Sequence, residues 1–280
     1  MSPASEGRWA TLPAGKTWYQ LAGPESGPPV VLIHGFSVPS CVWDGTFEHL
    51  AEAGFRVLRY DLYGRGRSAR PESPQDCDYG LECYVRQLHA LVEAIPLRQP
   101  LGIVGLSMGG PIAAAFAGRY PQRTRAVALI DPVVAGVPMD WKARLLALPG
   151  VGEWVLCFKG RQVLSEGLRH DFYRPERMPS SLPAIYRAFM DEGFFRAIHR
   201  SVRMGMLGTH EEAFLALGRA LVPVLALWGE HDATVPPQQA EVLRMLVPHV
   251  TVEQIPEAGH LPHIEQPERV HPLLSRFLAP

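Results

Sequence analysis

The sequence predicts the α/β fold class, a mostly parallel sheet wrapped by helices, and three observations predict it. Short β-rich runs alternate with longer helical patterns along most of the chain. The inner runs are apolar almost throughout, as strands buried on both faces must be. The alternation fails once, over about 133–219, where no buried-strand pattern occurs.

Residues 8–12 and 16–21, joined by Pro13, Ala14 and Gly15, read as an opening hairpin. The run 30–34 follows a Gly-Pro-Pro entry, and 56–61, 101–106, 126–130, 224–228 and 250–255 repeat its pattern. Between them 43–53, 79–95, 108–119 and 237–246 have helical length and spacing, and 267–278 closes the chain. The interruption falls between the sixth and seventh strands. It carries helical pieces punctuated by Pro149-Gly150, Pro175, Pro179 and Pro183. A plain loop of that length does not fit a compact domain. It is therefore expected to be a helical cap (133–219) on a core made of 1–132 and 220–280. The cap is expected over the C-terminal edge of the sheet, where open α/β sheets bind ligands.

A chain of 280 residues with 47% apolar and 20% charged residues can bury one large core. A formal net charge of −1 creates no field to steer nucleic acid or an anionic membrane toward it. The expected partner is a small, uncharged molecule, with neither nucleic acid nor membrane; the oligomeric state is left open. Cys41, Cys77, Cys83 and Cys157 form no C-x-x-C pair or metal-ligand spacing, so buried free thiols are expected. The first nine residues lack the apolar core of a signal peptide, and no stretch approaches a membrane span. With no disulfide framework in view, the expected compartment is the cytoplasm.

The chemistry concentrates at three strand ends. Gly105-Leu106-Ser107-Met108-Gly109-Gly110 lies where the fifth run turns into a helix, the context of a G-x-S-x-G nucleophile elbow. Glycines two residues on either side of Ser107 remove side chains that would collide in so sharp a turn. A weak serine nucleophile needs a base, and the base needs an orienting acid. Asp232 follows the run 224–228, and His260 follows 250–255, giving the order Ser, acid, His that goes with this elbow. Asp131 and Glu230 are the competing acids, and His34, His231, His263 and His271 the competing bases. The tetrahedral intermediate needs two N–H donors. Met108, next after the serine at a helix start, offers one. Phe36, in the His34-Gly35-Phe36 loop, offers the other.

These residues give the chain a resemblance to the α/β-hydrolase superfamily from about residue 8 to the C-terminus. The carrying motifs are His34-Gly35-Phe36, Asp61-Leu62-Tyr63-Gly64-Arg65-Gly66-Arg67-Ser68, the Ser107 elbow, Gly229-Glu230-His231-Asp232 and Gly259-His260. The resemblance implies an eight-stranded, mostly parallel sheet under a helical cap, with the 61–68 turn structural. It implies a carboxylesterase acting on short to medium acyl esters through an acyl-enzyme, with no metal and no cofactor. Haloalkane dehalogenases and epoxide hydrolases of this shape carry aspartate at the elbow, where Ser107 stands here. Meta-cleavage-product hydrolases, which split carbon–carbon bonds, often carry Asn before the serine and a Gly-Pro-Gly loop after the His-Gly. Leu106 and Ser37-Val38-Pro39 stand in those places. That activity and a non-catalytic binding role are the alternatives.

The substrate pocket is expected from two sources. Trp43, Val133, Val235 and Leu261, with Phe36 and Met108, flank the catalytic positions in sequence and should floor it. The cap, rich in aromatics and methionines such as Trp141, Trp154, Phe158, Met190 and Phe194, should roof it, with Trp154 among the lining residues.

Overall fold

A computed structural model describes residues 6–97, 100–138 and 147–280. Residues 1–5, part of the stretch read as lacking a signal, and Trp141 of the expected cap aromatics lie outside the described residues.

Eight strands form one sheet in the order β1-β2-β4-β3-β5-β6-β7-β8. They are β1 (Arg8–Leu12), β2 (Gly15–Ala22), β3 (Pro29–Ile33), β4 (Arg56–Tyr60), β5 (Leu101–Leu106), β6 (Thr124–Ile130), β7 (Val224–Gly229) and β8 (Thr251–Ile255). β2 runs antiparallel to β1 and β4; all other pairs are parallel. The expected class and strand number therefore hold. Every residue of β3, β5 and β7 is buried. Their alternate side chains feed two separate cores. Val31, Ile33, Ile103 and Trp228 enter one; Val30, Leu32, Val104 and Leu227 enter the other. Such two-sided burial is why these strands read as continuous apolar runs rather than alternating ones.

Helices α1 (Asp44–Glu52) and α10 (Pro267–Leu278) cover the second core, with Phe47, Leu50 and Leu274. Helices α2 (Leu81–Ala94) and α3 (Gly109–Arg119) cover the first, with Leu88 and Phe116. The interruption between β6 and β7 contains α4 (Val151–His170), α5 (Leu182–Ala188), α6 (Glu192–Arg203) and α7 (Glu211–Ala220). Leu156, Leu168, Tyr186 and Phe194 of α4–α6 join the second core beside Leu106 and Leu261. Helix α7 packs along α3, and its Phe214 and Leu217 belong to the first core. The stretch expected as cap thus ends in a helix that serves the sheet. Among the described residues, α8 (Gln239–Leu246) and α9 (Pro262–Glu265) follow β7 and β8.

The cysteine expectation is corrected. Cys77 and Cys83 are joined by a disulfide, with Cα atoms 5.4 Å apart, across the turn that enters α2. Cys41 is half-buried and Cys157 exposed. Chain geometry across a turn, not sequence spacing, brought the pair together. Because such bridges persist in oxidising compartments, one of the two grounds for a cytoplasmic location falls. Among the described residues no helix is long and apolar enough to cross a membrane.

Candidate active site

Ser107 sits between β5 and α3 with φ 53°, a left-handed conformation that costs a non-glycine residue about 1–3 kcal/mol. The turn around it is held by its neighbours. Its N–H donates to Ile130 O at 2.8 Å, and its carbonyl accepts from Gly110 N at 2.9 Å and Val133 N at 3.2 Å. A Cβ on Gly105 would lie 2.4 Å from Gly109 O, and one on Gly109 2.4 Å from Ile33 O. Side chains are excluded at both positions, which is what the elbow pattern encodes.

His260 and Asp232 meet at the same edge. Nδ1 of His260 lies 2.7 Å from Asp232 Oδ2, with both side chains almost wholly buried. The other oxygen of Asp232 accepts the N–H groups of Thr234 at 2.8 Å and Val235 at 2.9 Å. Three donors thus converge on one carboxylate, fixing its plane and, through it, the imidazole. Burial works to lower the His260 pKa, but the charge and hydrogen bond of Asp232 outweigh it, helped by the charge of Asp171. The net shift is upward from the usual imidazole value. Ser107 and His260 line one cavity.

Asp131 also reaches this cluster. The ligand atoms of Asp131, Asp232 and His260 lie within 4.8 Å of one another. Asp131 Oδ1 accepts from Gly229 N at 2.9 Å, while Oδ2 is buried with no hydrogen-bond partner. Burial first, and then the neighbouring Asp232, push its pKa well above the carboxylate range. Two carboxylates so close and so buried do not both ionise. Asp232, not Asp131, holds the imidazole. The trio has the composition of a metal site; the bond between His260 Nδ1 and Asp232 Oδ2 occupies one of the two possible ligand atoms of each.

The competing bases are occupied elsewhere. Burial lowers His34 to about 3, and its Nε2 accepts from Leu62 N at 3.0 Å. Burial lowers His263 to about 3 as well, and its ring bonds to Val42 O at 3.1 Å. His271 pairs with Thr46. His231 stacks on Tyr173 and lies beside Glu230, both partners outside the triad cluster.

The two expected oxyanion donors are adjacent to the serine. A Cβ on Gly35 would lie 3.3 Å from Ser107 Cβ, so the loop carrying Phe36 passes directly over the elbow. Met108 caps the N-terminus of α3. Among the described residues neither the Phe36 nor the Met108 N–H has a hydrogen-bond acceptor. Both are free to bind an anion.

The pocket expectation needs correction at four positions. The cavity over Ser107 measures about 230 Å³. Of the five expected lining residues only Leu261 borders it. Trp43 is buried against His263, ring centroids 4.7 Å apart. Val133 and Val235 use their backbones to shape the catalytic loops and turn their side chains into the core beneath. Met108, expected in the floor, is buried there too. Trp154 is 59% exposed and lines a separate groove of about 600 Å³ with Phe158 and Phe195, one that shares no residue with the triad cavity. The walls come instead from Phe36, Val38 and Val42 of the loop after β3, from Val137 and Leu207, and from Leu164, Leu168, His170 and Asp171 of the cap.

Three further residues tie this site together. Arg65, fully buried, donates from Nε to Phe36 O at 2.8 Å and from its terminal nitrogens to Ser201 Oγ at 2.9 Å and Tyr84 Oη at 3.1 Å. It links the oxyanion loop to α6. Glu265 accepts from the N–H groups of Gly259 at 2.7 Å, Arg174 at 2.8 Å and Tyr173 at 3.2 Å. Asp171 accepts the His260 N–H on its backbone carbonyl at 2.7 Å. Together Glu265 and Asp171 fasten the histidine loop to the segment after α4. Only Arg65 fell within a sequence motif, and no periodicity or spacing marks the other two.

A sequence model of the Alpha/beta hydrolase family matches residues 30–273. "Lipase 1" of Psychrobacter immobilis is 27% identical over 264 residues, covering 91% of this chain and 78% of that protein. The crystal structure of a putative aryl esterase from Burkholderia cenocepacia superposes with a TM-score of 0.79 at 24% identity, covering 98% of both chains. A meta-cleavage product hydrolase superposes with a TM-score of 0.78 at 23% identity, covering 97% of both chains. At these identities the two superpositions speak for the fold.

Proposed function

The chain belongs to the alpha/beta hydrolase family, and from that premise we propose that it is a serine hydrolase cleaving carboxylic esters of short to medium acyl chains. The observation that carries this reading is the Asp232–His260 hydrogen bond beside a serine on a left-handed elbow, with Ser107 and His260 open to one cavity. The similarity to a lipase over most of the chain supports it.

In this reading His260 Nε2 takes the proton of Ser107 as Oγ attacks the ester carbonyl. The carbonyl oxygen becomes an oxyanion held by the Phe36 and Met108 N–H groups. His260 returns the proton to the leaving alkoxide as the C–O bond breaks, leaving an acyl-serine. Water then attacks the acyl group, giving its proton to His260, and the acid leaves as Ser107 is reprotonated. Asp232 stabilises the His260 imidazolium each time it forms and does not itself take up a proton.

The cavity, about 230 Å³, falls below the ~300–1,000 Å³ usual for drug-sized ligands. It suits short chains, each added methylene gaining at most ~0.8 kcal/mol until the space is full. The test is kcat/KM for p-nitrophenyl esters from acetate to palmitate, beside fluorophosphonate labelling of Ser107. A maximum at short to medium chains with labelling is expected. A monotonic rise to palmitate would replace the closed pocket with a lipase-type site. Inactivity on every ester, with turnover of a vinylogous 1,5-diketone, would make it a carbon–carbon hydrolase. No labelling at all would leave a binding protein.

A further inference from the structure

The cavity over Ser107 is apolar on most sides, yet one wall carries a carboxyl group that the mechanism does not use. Asp171 caps the C-terminus of α4 and lines the cavity with Ser107 and His260. Its placement is built. The backbone carbonyl accepts the His260 N–H, and Oδ1 accepts the Thr234 hydroxyl at 2.7 Å. Gly259 admits this approach, since a Cβ there would lie 2.6 Å from Asp171 O. The second oxygen, Oδ2, has no protein partner among the described residues, and it is not sealed from solvent. The residue is only half-buried, and the space it borders is the cavity. Desolvation pushes the Asp171 pKa upward, while His260, the Thr234 bond and His170 pull against it. No lysine or arginine lines the cavity among the described residues.

We propose that Asp171 is a specificity-determining residue that selects esters carrying a hydroxyl or other hydrogen-bond donor near the carbonyl and rejects esters carrying a carboxylate. The inference rests on the esterase reading above. A donor on the substrate completes the bonding of Oδ2, which water must otherwise do in a cavity of about 230 Å³. A carboxylate entering the same space meets a like charge across a poorly solvated gap, with no lysine or arginine among the described lining residues to balance it. Thr234 holds the carboxyl so that the donor must come to it. Purely alkyl esters fit the walls but leave Oδ2 unpaired.

Four substrates of similar size separate these effects: ethyl butyrate, 2-hydroxyethyl butyrate, ethyl 3-hydroxybutyrate and monoethyl succinate, with acid release followed at constant pH. In the wild type at least one hydroxy ester should exceed ethyl butyrate about tenfold in kcat/KM, the low end for a hydrogen bond to a charged group. Monoethyl succinate should be the poorest of the four. Asp171→Asn keeps the shape and should raise the succinate-to-butyrate ratio at least about tenfold; Asp171→Ala should also abolish the hydroxyl preference. Melting curves establish that each variant is folded. Ratios that stay the same in both folded variants overturn the inference and leave the esterase reading standing. A wild-type enzyme that hydrolyses none of the four overturns both.

Discussion

The C-terminal edge of the sheet and the cap that faces it obey different rules. At the edge, Ser107 and Asp232 follow the buried strands β5 and β7 and His260 follows the largely exposed edge strand β8, and the backbone alone delivers them to one place. In the cap, helix α4 turns Leu164, Leu168 and Asp171 toward the triad cavity and Trp154 and Phe158 toward the outside, though all belong to one continuous segment. Position along a strand is a matter of chain connectivity. Which way a helix faces depends on what it packs against, and α4 packs on α5 and α6 and joins the second core through Leu156 and Leu168.

The largest effects are expected at the edge. Ser107→Ala or His260→Ala should cut kcat by about 10⁴-fold or more with melting temperature little changed. Asp232→Asn should be nearly as severe, because the imidazole loses its preferred tautomer. Asp131→Asn is the sharper comparison. Asn keeps the acceptor for Gly229 N and resembles the protonated acid that burial and Asp232 enforce. Activity should fall less than about tenfold. A dead Asp131→Asn beside an active Asp232→Asn would exchange the roles of the two acids.

A smaller effect links edge and cap through pH. The base works when neutral, so kcat/KM rises with pH through the His260 pKa and then levels. Asp232 and Asp171 raise that pKa, while burial opposes them and the neutral, buried His263 adds no charge; burial and Asp232 push the Asp131 pKa well up. The midpoint should therefore lie above the usual imidazole value of about 6.5. Asp171→Asn removes one raising charge and should move the midpoint to lower pH. An unmoved midpoint would mean that the cap does not reach the base electrostatically. EDTA should leave the profile unchanged.

The smallest effect is expected on the outer face of the cap. Trp154→Ala should change kcat/KM on any of the esters by less than about twofold, since Trp154 borders a different groove. Leu168→Trp, inside the cavity, should instead shorten the preferred acyl chain. If Trp154→Ala alters chain-length preference and Leu168→Trp does not, the division between the two faces of α4 is wrong.

The chain's pattern of apolar runs settled more than the class of fold. Because strands buried on both faces must be apolar throughout, β3, β5, β6 and β7 announced themselves within a residue or two, and the ends of β5 and β7 announced the loops that hold Ser107 and Asp232; His260 follows β8, an edge strand that is mostly exposed. Steric necessity made the elbow readable as well, since Gly105 and Gly109 have no room for a side chain. Tertiary packing settled the rest. Val133 and Val235 flank the chemistry in sequence, but their backbones are spent on Ser107 and Asp232, so their side chains drop into the core. The Cys77–Cys83 bridge, the Arg65 link to Ser201, the Glu265 clamp and the Asp171 carboxyl each join segments whose meeting no local period encodes. Periodicity records which face of one element is buried, whereas a contact between elements depends on the rotation and depth at which they dock.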